Sequence, residues 1–403
     1  MRLLVADDIG LVKQVNMADE SVSYLCNTSG ADMAVVDMIW LNSECSRVAV
    51  CRESGSIEIY ELSNKTSCWI LLKSIDLEET AVTTSVVDEV LIVVSEESVY
   101  RIDLEDFGVN SAPIAGGPYT CISLMSGSKL SLVAYCEDKP PVVIDMASNE
   151  VVWTGKHAND TAIGLNSKFE ATSLVGLTDG IFAAGDVSGK LRFYDFVAQR
   201  KPVYELPVYQ VYTLTNNYTG TSGMGVTRPV TRLTFANSTL FVGDTYGTVI
   251  GLDMRKALVQ PRLVSPEGKL GMKKHIDYCR KLFPMISNFK GIMGSVRDIQ
   301  ITQSHAFVVS AGRYAYSFDL NCKKNAKKVF LKQKLTSCLY IPEIEDIETD
   351  ELEDNEEEEE EEESSDEIDI MTPEERIIHD SQPMSKSKRR RMRKGCGAVD
   401  TDE

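Results

Sequence analysis

Histidine is scarce in this 403-residue chain: four copies, His157, His275, His305 and His379, with no two at a metal-ligand spacing. The ten cysteines (Cys26, Cys45, Cys51, Cys68, Cys121, Cys136, Cys279, Cys322, Cys338 and Cys396) form no C-x-x-C pair. No phosphate-binding G-x-x-x-x-G-K-[ST] pattern follows a strand-like run, and the glycine-rich GTSGMG at 220–225 reads as a connection in a polar loop. No run approaches the roughly 18 apolar residues that cross a membrane. Catalysis needs grouped nucleophiles, bases or ligands, and none are grouped here. The expectation is no enzyme activity, no cofactor, no metal, no membrane contact and no small-molecule substrate. The first strand-like run starts at Leu3, so no leader is expected. The scattered cysteines therefore read as free thiols in a reducing compartment, mostly small core residues.

The formal net charge is −19, but its location matters more than its size. Residues 343–370 hold nineteen Asp or Glu and no Lys or Arg, and the rest of the chain balances 42 acidic against 42 basic residues. The acidity belongs to one segment, so it does not exclude a nucleic-acid partner. The 43% hydrophobic content suffices for one large core.

What is present is a repeat. An apolar strand, a small polar turn and a second, alternating strand recur seven times, and six of the seven copies end in an acidic residue. The copies are LLVADDIGLVKQV (3–15), VAVCRESGSIEIYEL (48–62), VLIVVSEESVYRIDL (90–104) and LVAYCEDKPPVVIDM (132–146). IFAAGDVSGKLRFYDF (181–196), LFVGDTYGTVIGLDM (240–254) and AFVVSAGRYAYSFDL (306–320) follow. Each reads as an antiparallel hairpin, with Gly10, Gly55, Gly189 and Gly247 where the turn needs a positive φ. In KLRFYDF, Leu191, Phe193 and Asp195 point to one face and Arg192 and Tyr194 to the other. A lone hairpin cannot bury both faces; four-stranded units stacked in a ring can.

The closing residues Glu61, Asp103, Asp145, Asp195, Asp253 and Asp319 lie 42, 42, 50, 58 and 66 positions apart. The short intervals match a WD40 blade, although neither the usual Trp-Asp nor the Gly-His signature is present. The longer ones imply loop insertions near 205–230 and 262–290. The fold expected is an all-β, seven-bladed WD40-type propeller over 1–342, with a β-sandwich as the lesser reading. The first copy starts without a strand before it, and KLTSCLYI (334–341) is left over after the last, so the two ends should pair and close the ring.

Beyond Pro342 the pattern stops. Residues 343–370 read as an acidic disordered linker, with Ser364 and Ser365 in an acidic context suited to phosphorylation. Residues 371–403 read as a tail holding a short helix, with Thr372 as N-cap and Pro373 in its first turn. The basic cluster Lys386, Lys388, Arg389, Arg390, Arg391, Arg393 and Lys394 follows, and reads as a nuclear localisation signal or an RNA-phosphate patch.

Two segments carry contact candidates. In VVWTGKHANDTAIGL (151–165), Trp153 sits on an outer strand, and Lys156, His157, Asn159 and Asp160 form a polar cluster. They either make a turn or project towards RNA phosphate or an acidic partner. In FKGIMGSVRDIQI (289–301), Arg297 enters the innermost strand of the seventh blade. It either binds carbonyls and an Asp in the channel or makes a contact at the rim. Arg200 and Lys201, together with Lys273, Lys274, Arg280 and Lys281, complete the phosphate-contact candidates.

The chain resembles the WD repeat-containing protein 74 family, which includes the yeast Nsa-type factor. The resemblance runs through MRLLVADDIGLVKQV, WTGKHAND, LRFYDFVAQRKPV, FVGDTYGTVIGLDMR and GIMGSVRDIQ. It ends on KKVFLKQKLTSCLY with the trailing ETDEL, and so spans the propeller in order. The chain departs from the family pattern in TAIGLNSKFE, in the longer loop at 263–287, and at Ala311-Gly312-Arg313. The resemblance implies a non-catalytic nucleolar assembly factor of the large ribosomal subunit. It would be monomeric within a larger complex, docked on pre-60S particles beside nucleolar assembly factors and pre-rRNA. A hexameric AAA-type ATPase like valosin-containing protein would release it, with the tail as handle. The alternative function is a WD40 adaptor or substrate receptor in a chromatin or ubiquitin-ligase complex. A hydrolase on a propeller scaffold would need clustered acids and histidines.

Overall fold

The computed structural model describes residues 1–26, 30, 32–63, 68–125, 130–136, 139–156, 170–212, 228–259, 272–321 and 327–342. By its contacts the chain divides at residue 345, and the second unit, Asp346–Glu403, lies outside the described residues. The first unit is built from seven four-stranded antiparallel sheets. One strand of each touches its counterparts on both sides, which makes a closed ring. These inner strands are Leu335–Ile341, Val35–Trp40, Thr83–Val87, Cys121–Met125, Ala171–Thr178, Val230–Ala236 and Val296–Ile301, for blades one to seven. The seven sequence repeats are the middle two strands of the seven blades, in order.

The burial explains the pattern. In the first copy Leu3, Leu4, Val5 and Ala6 are all 0% exposed, because a neighbouring blade covers each face of the strand. The alternating strand is covered on both sides too. Leu191, Arg192, Phe193 and Tyr194 are buried together, with Arg192 neutralised by Glu205 at 3.0 Å and Tyr194 stacked on Phe182. Its alternation separates two packing partners, and a wet face is not one of them. Burying a side chain of this size is worth about 1.5–3 kcal/mol.

Two devices shape the hairpins. Gly10, Gly55, Gly189 and Gly247 all take positive φ, and a Cβ on Gly247 would overlap the Ile292 carbonyl. Three positions before Gly10, Gly189 and Gly247, an aspartate caps the turn. Asp7 accepts from the Ile9 and Leu11 amides, Asp186 from Ser188 and Lys190, and Asp244 from Tyr246 and Thr248. The closing aspartates act likewise one strand later: Asp103, Asp145, Asp195, Asp253 and Asp319 each accept the amide two residues on.

Ring closure follows the sequence expectation. Leu335–Ile341 pairs antiparallel with Arg2–Asp7, from Arg2 opposite Ile341 to Asp7 opposite Leu335. The stretch at 263–287 differs from its reading as a loop. It contains a helix, Met272–Leu282, and the start of the sixth blade's outer strand, Met285–Phe289. The helix packs Cys279, Leu282 and Phe283 against a short helix, Val208–Tyr212, and the fifth blade. Phe283 stacks on Phe193 with ring centroids 4.9 Å apart, and the Tyr204 hydroxyl lies 2.8 Å from Cys279 Sγ. The seven cysteines whose side chains are described are free thiols, and Cys51, Cys121, Cys279 and Cys338 are buried as core residues.

Candidate interaction surface

The outer rim between blades four and five gathers three of the sequence candidates. Trp153, on the outer strand Glu150–Thr154, turns its indole into an aromatic cluster of the next blade. Phe182, Tyr194 and Phe196 lie 5.9, 6.1 and 6.3 Å from it. That anchor leads the chain straight to the turn after strand Lys190–Asp195. The Lys156 amide donates to the Arg200 carbonyl at 2.7 Å, and Arg200 Nε donates back to the Thr154 carbonyl at 2.7 Å. Lys156, Arg200 and Lys201 thereby stand together, exposed, on one inter-blade edge although 44 residues separate the first from the second. Val152 and Val197, 56% and 80% exposed, lie on the same two elements. His157, Asn159 and Asp160 lie outside the described residues, as do the GTSGMG stretch, Cys322, and the tail with its basic cluster.

The other candidates are dispersed. Arg280 donates from Nε and Nη2 to the Val211 carbonyl, at 2.9 and 2.6 Å, and so clamps the Met272–Leu282 helix to Val208–Tyr212. Lys281 is exposed beside it; Lys273 and Lys274 sit on the same helix, with side chains outside the description. Arg297 occupies an exposed position where the pairing of Val296–Ile301 with His305–Ser310 shifts register.

The arginine that does bind an aspartate of the channel wall is Arg232, which sequence reasoning missed. Its Nη2 lies 2.9 Å from Asp298 Oδ1. Asp298 Oδ2 accepts from the Cys338 amide at 3.0 Å and from Ser337 Oγ at 3.3 Å. One carboxylate thus ties the inner strands of blades six, seven and one. In blade two, Asp37 accepts from Thr84 Oγ1 of blade three at 2.7 Å. The Asp298 charge is the chief cause that raises the Arg232 guanidinium further, and Asp37 adds to it. Burial is the chief cause that raises Asp37, opposed by Arg232. Burial likewise pushes the Cys121 thiol up to about 12 and Cys338 well above the usual thiol range, so neither is a thiolate at neutral pH.

Asp37 carries a pH prediction. Its folded value lies above its unfolded one, so the ionised carboxylate costs stability once the pH exceeds the folded value, and the cost vanishes below the ordinary carboxylate range. Asp37→Asn should raise the thermal midpoint near pH 7 and lose that advantage towards pH 3. An advantage that grew on acidification would contradict the assignment.

No family model matches this chain, and no curated protein matches it in sequence. Solved structures share its architecture. Saccharomyces cerevisiae Sqt1 is 12% identical with a TM-score of 0.52, over 82% of this chain and 87% of that one. The β-propeller domain of Myceliophteria thermophila Cps50 (Swd1) is 12% identical with a TM-score of 0.53, over 74% and 87%. The computationally designed Ika8 protein is 10% identical with a TM-score of 0.50, over 83% and 86%. At such identities the likeness shows the fold alone: an all-β, seven-bladed β-propeller.

Proposed function

We propose that this protein is a non-catalytic assembly factor of the large ribosomal subunit, a rigid propeller that docks on nucleolar pre-60S particles. The observation that carries the proposal is the edge between blades four and five. Two reciprocal hydrogen bonds bring Lys156, Arg200 and Lys201 together there, all of them exposed, beside exposed valines. A cationic edge with apolar flanks suits RNA phosphate or an acidic neighbour in a ribonucleoprotein particle. The resemblance to WD repeat-containing protein 74 supplies the particle, its nucleolar assembly factors and pre-rRNA as partners, and an AAA-type ATPase as the releasing enzyme. The cluster from Lys386 to Lys394 would direct the chain to the nucleus, with the nucleolus as its destination. The readout is co-sedimentation of the tagged full chain with large-subunit precursor rRNA. Reversing Lys156, Arg200 and Lys201 to Glu should lower co-sedimentation severalfold at low salt, with the difference from the wild type narrowing as salt rises. Replacing the basic cluster with Ala should move the same tag into the cytoplasm. Unchanged association and unchanged nuclear residence would sink the reading.

A further inference from the structure

The near-neutral propeller is strongly polarised. Residues 35–113, blades two and three, carry fifteen acidic against five basic residues. Residues 284–341, which include the whole seventh blade and the closing strand, carry nine basic against two acidic. Those two acids are engaged: Asp298 is buried on Arg232, and Asp319 caps its turn. The basic side chains are not so engaged. Lys290, Arg297, Arg313, Lys332 and Lys334 are exposed, and among the described residues no ion pair involves them.

Backbone bonds gather them at one end of the blade. The Ala311 amide donates to the Ser295 carbonyl and Ser310 Oγ to the Met293 carbonyl, which fastens the 290–295 loop onto the 310–313 turn. The Leu331 amide donates to the Arg313 carbonyl at 2.9 Å, which sets Lys332 beside that turn, and the Asp8 amide caps the Lys334 carbonyl at 2.9 Å.

Arg313 is the telling residue. It stands three positions after Ser310, where Gly10, Gly55, Gly189 and Gly247 stand in their own blades, and like them it takes a positive φ, +72°. An L-residue pays for that conformation, and glycine does not. Lys332 also has a positive φ, +66°. Eight other non-glycine residues among those described also take a positive φ, so the conformation counts here only together with the charge of these two side chains and the exposed ring beside them. Beside them, Phe330 is 52% exposed, its ring 5.1 Å from Tyr314, and the Lys328 ammonium sits 5.3 Å from the Tyr314 centroid. Cations next to an exposed ring form a phosphate track with a stacking platform.

We propose that this end of the seventh blade binds single-stranded RNA, with Arg313, Lys332 and Lys334 on phosphates and Phe330 stacked on a base. An acidic protein surface would use the cations but would leave the ring without a partner. The inference deepens the reading above and rests on it for the source of the RNA.

The test is fluorescence anisotropy of a labelled 20-nucleotide single-stranded RNA against the full chain. Reversing Lys332 and Lys334 to Glu should weaken binding about tenfold and flatten the log–log salt slope by about 1.4, for two phosphates lost. Phe330→Ala should weaken it about fivefold or more with the slope unchanged, since stacking releases no counterions. Arg313→Gly should bind severalfold more weakly while its thermal midpoint rises by about 1–2 °C, which a purely structural arginine would not do. Wild-type affinity in these variants would overturn the proposal, as would a loss confined to reversal of Lys156, Arg200 and Lys201. So would binding to a polyglutamate peptide with none to RNA. Particle association without affinity for RNA would remove this inference and leave the reading above standing; RNA binding without particle association would do the reverse.

Discussion

Deleting residues 334–341 is expected to unfold the entire propeller, although it removes only eight residues at the end of the ring. The deleted strand is the innermost of the first blade, and it touches the inner strands of blades seven and two. Leu335, Cys338, Leu339 and Ile341 are buried, Cys338 completely. At about 1.5–3 kcal/mol for each large apolar side chain, their loss alone approaches the 5–15 kcal/mol that holds a typical domain together. The deletion also exposes the ladder edge of Arg2–Asp7, removes the Tyr340 carbonyl that receives Trp40 Nε1, and takes from Asp298 its Ser337 and Cys338 donors. Circular dichroism should show no cooperative transition, and size exclusion should show an expanded or aggregated species. A chain ended at Pro342 should melt like the full-length protein. A cooperative melt in the 334–341 deletion would contradict the closure.

Arg52→Ala should be the most damaging single substitution, at about 3–5 kcal/mol. Arg52 is 0% exposed. Its Nη1 donates to the carbonyls of Gly10 and Met33, at 3.0 and 2.8 Å, and its Nη2 meets Glu58 Oε2 at 2.6 Å. It therefore joins the turn of the first blade to the entry of the second and neutralises a carboxylate that also accepts from Tyr60 at 2.8 Å. Removing the guanidinium leaves that carboxylate buried and unneutralised, which costs more than the pair itself contributes. Arg52→Lys keeps the charge without the fork and should recover part of the loss. Arg52→Met with Glu58→Gln should be milder than Arg52→Ala, because no buried charge is stranded. Urea denaturation would read all three; a double substitution as damaging as Arg52→Ala would refute the electrostatic explanation.

The middle hairpins were legible because the signal is local: an apolar strand, a glycine turn, an alternating strand and a closing acid within some fifteen residues. The inner strands were harder to read. Cys121–Met125 and Thr83–Val87 are five residues each, and part of their surface faces a polar channel, which breaks the apolar pattern. Arg232 escaped notice because its partner Asp298 lies 66 positions away and only the ring brings them together. The capping aspartates Asp7, Asp186 and Asp244 were there to be found, three residues before a glycine in three copies. The helix Met272–Leu282 was read as loop because its core contacts reduce to a few residues on an otherwise charged segment. For the candidate surface, sequence named Lys156, Arg200 and Lys201, and the reciprocal hydrogen bonds that gather them are a product of the fold. Charge polarisation was hidden by the sum, since blades two and three cancel the seventh.

The central claim is that this propeller works by binding a ribosomal precursor, and affinity purification of the tagged full chain followed by gradient sedimentation tests it most directly. The account predicts co-migration with large-subunit precursor rRNA and nucleolar assembly factors. A light, RNA-free peak carrying chromatin or ubiquitin-ligase subunits would contradict it and leave only the fold in place.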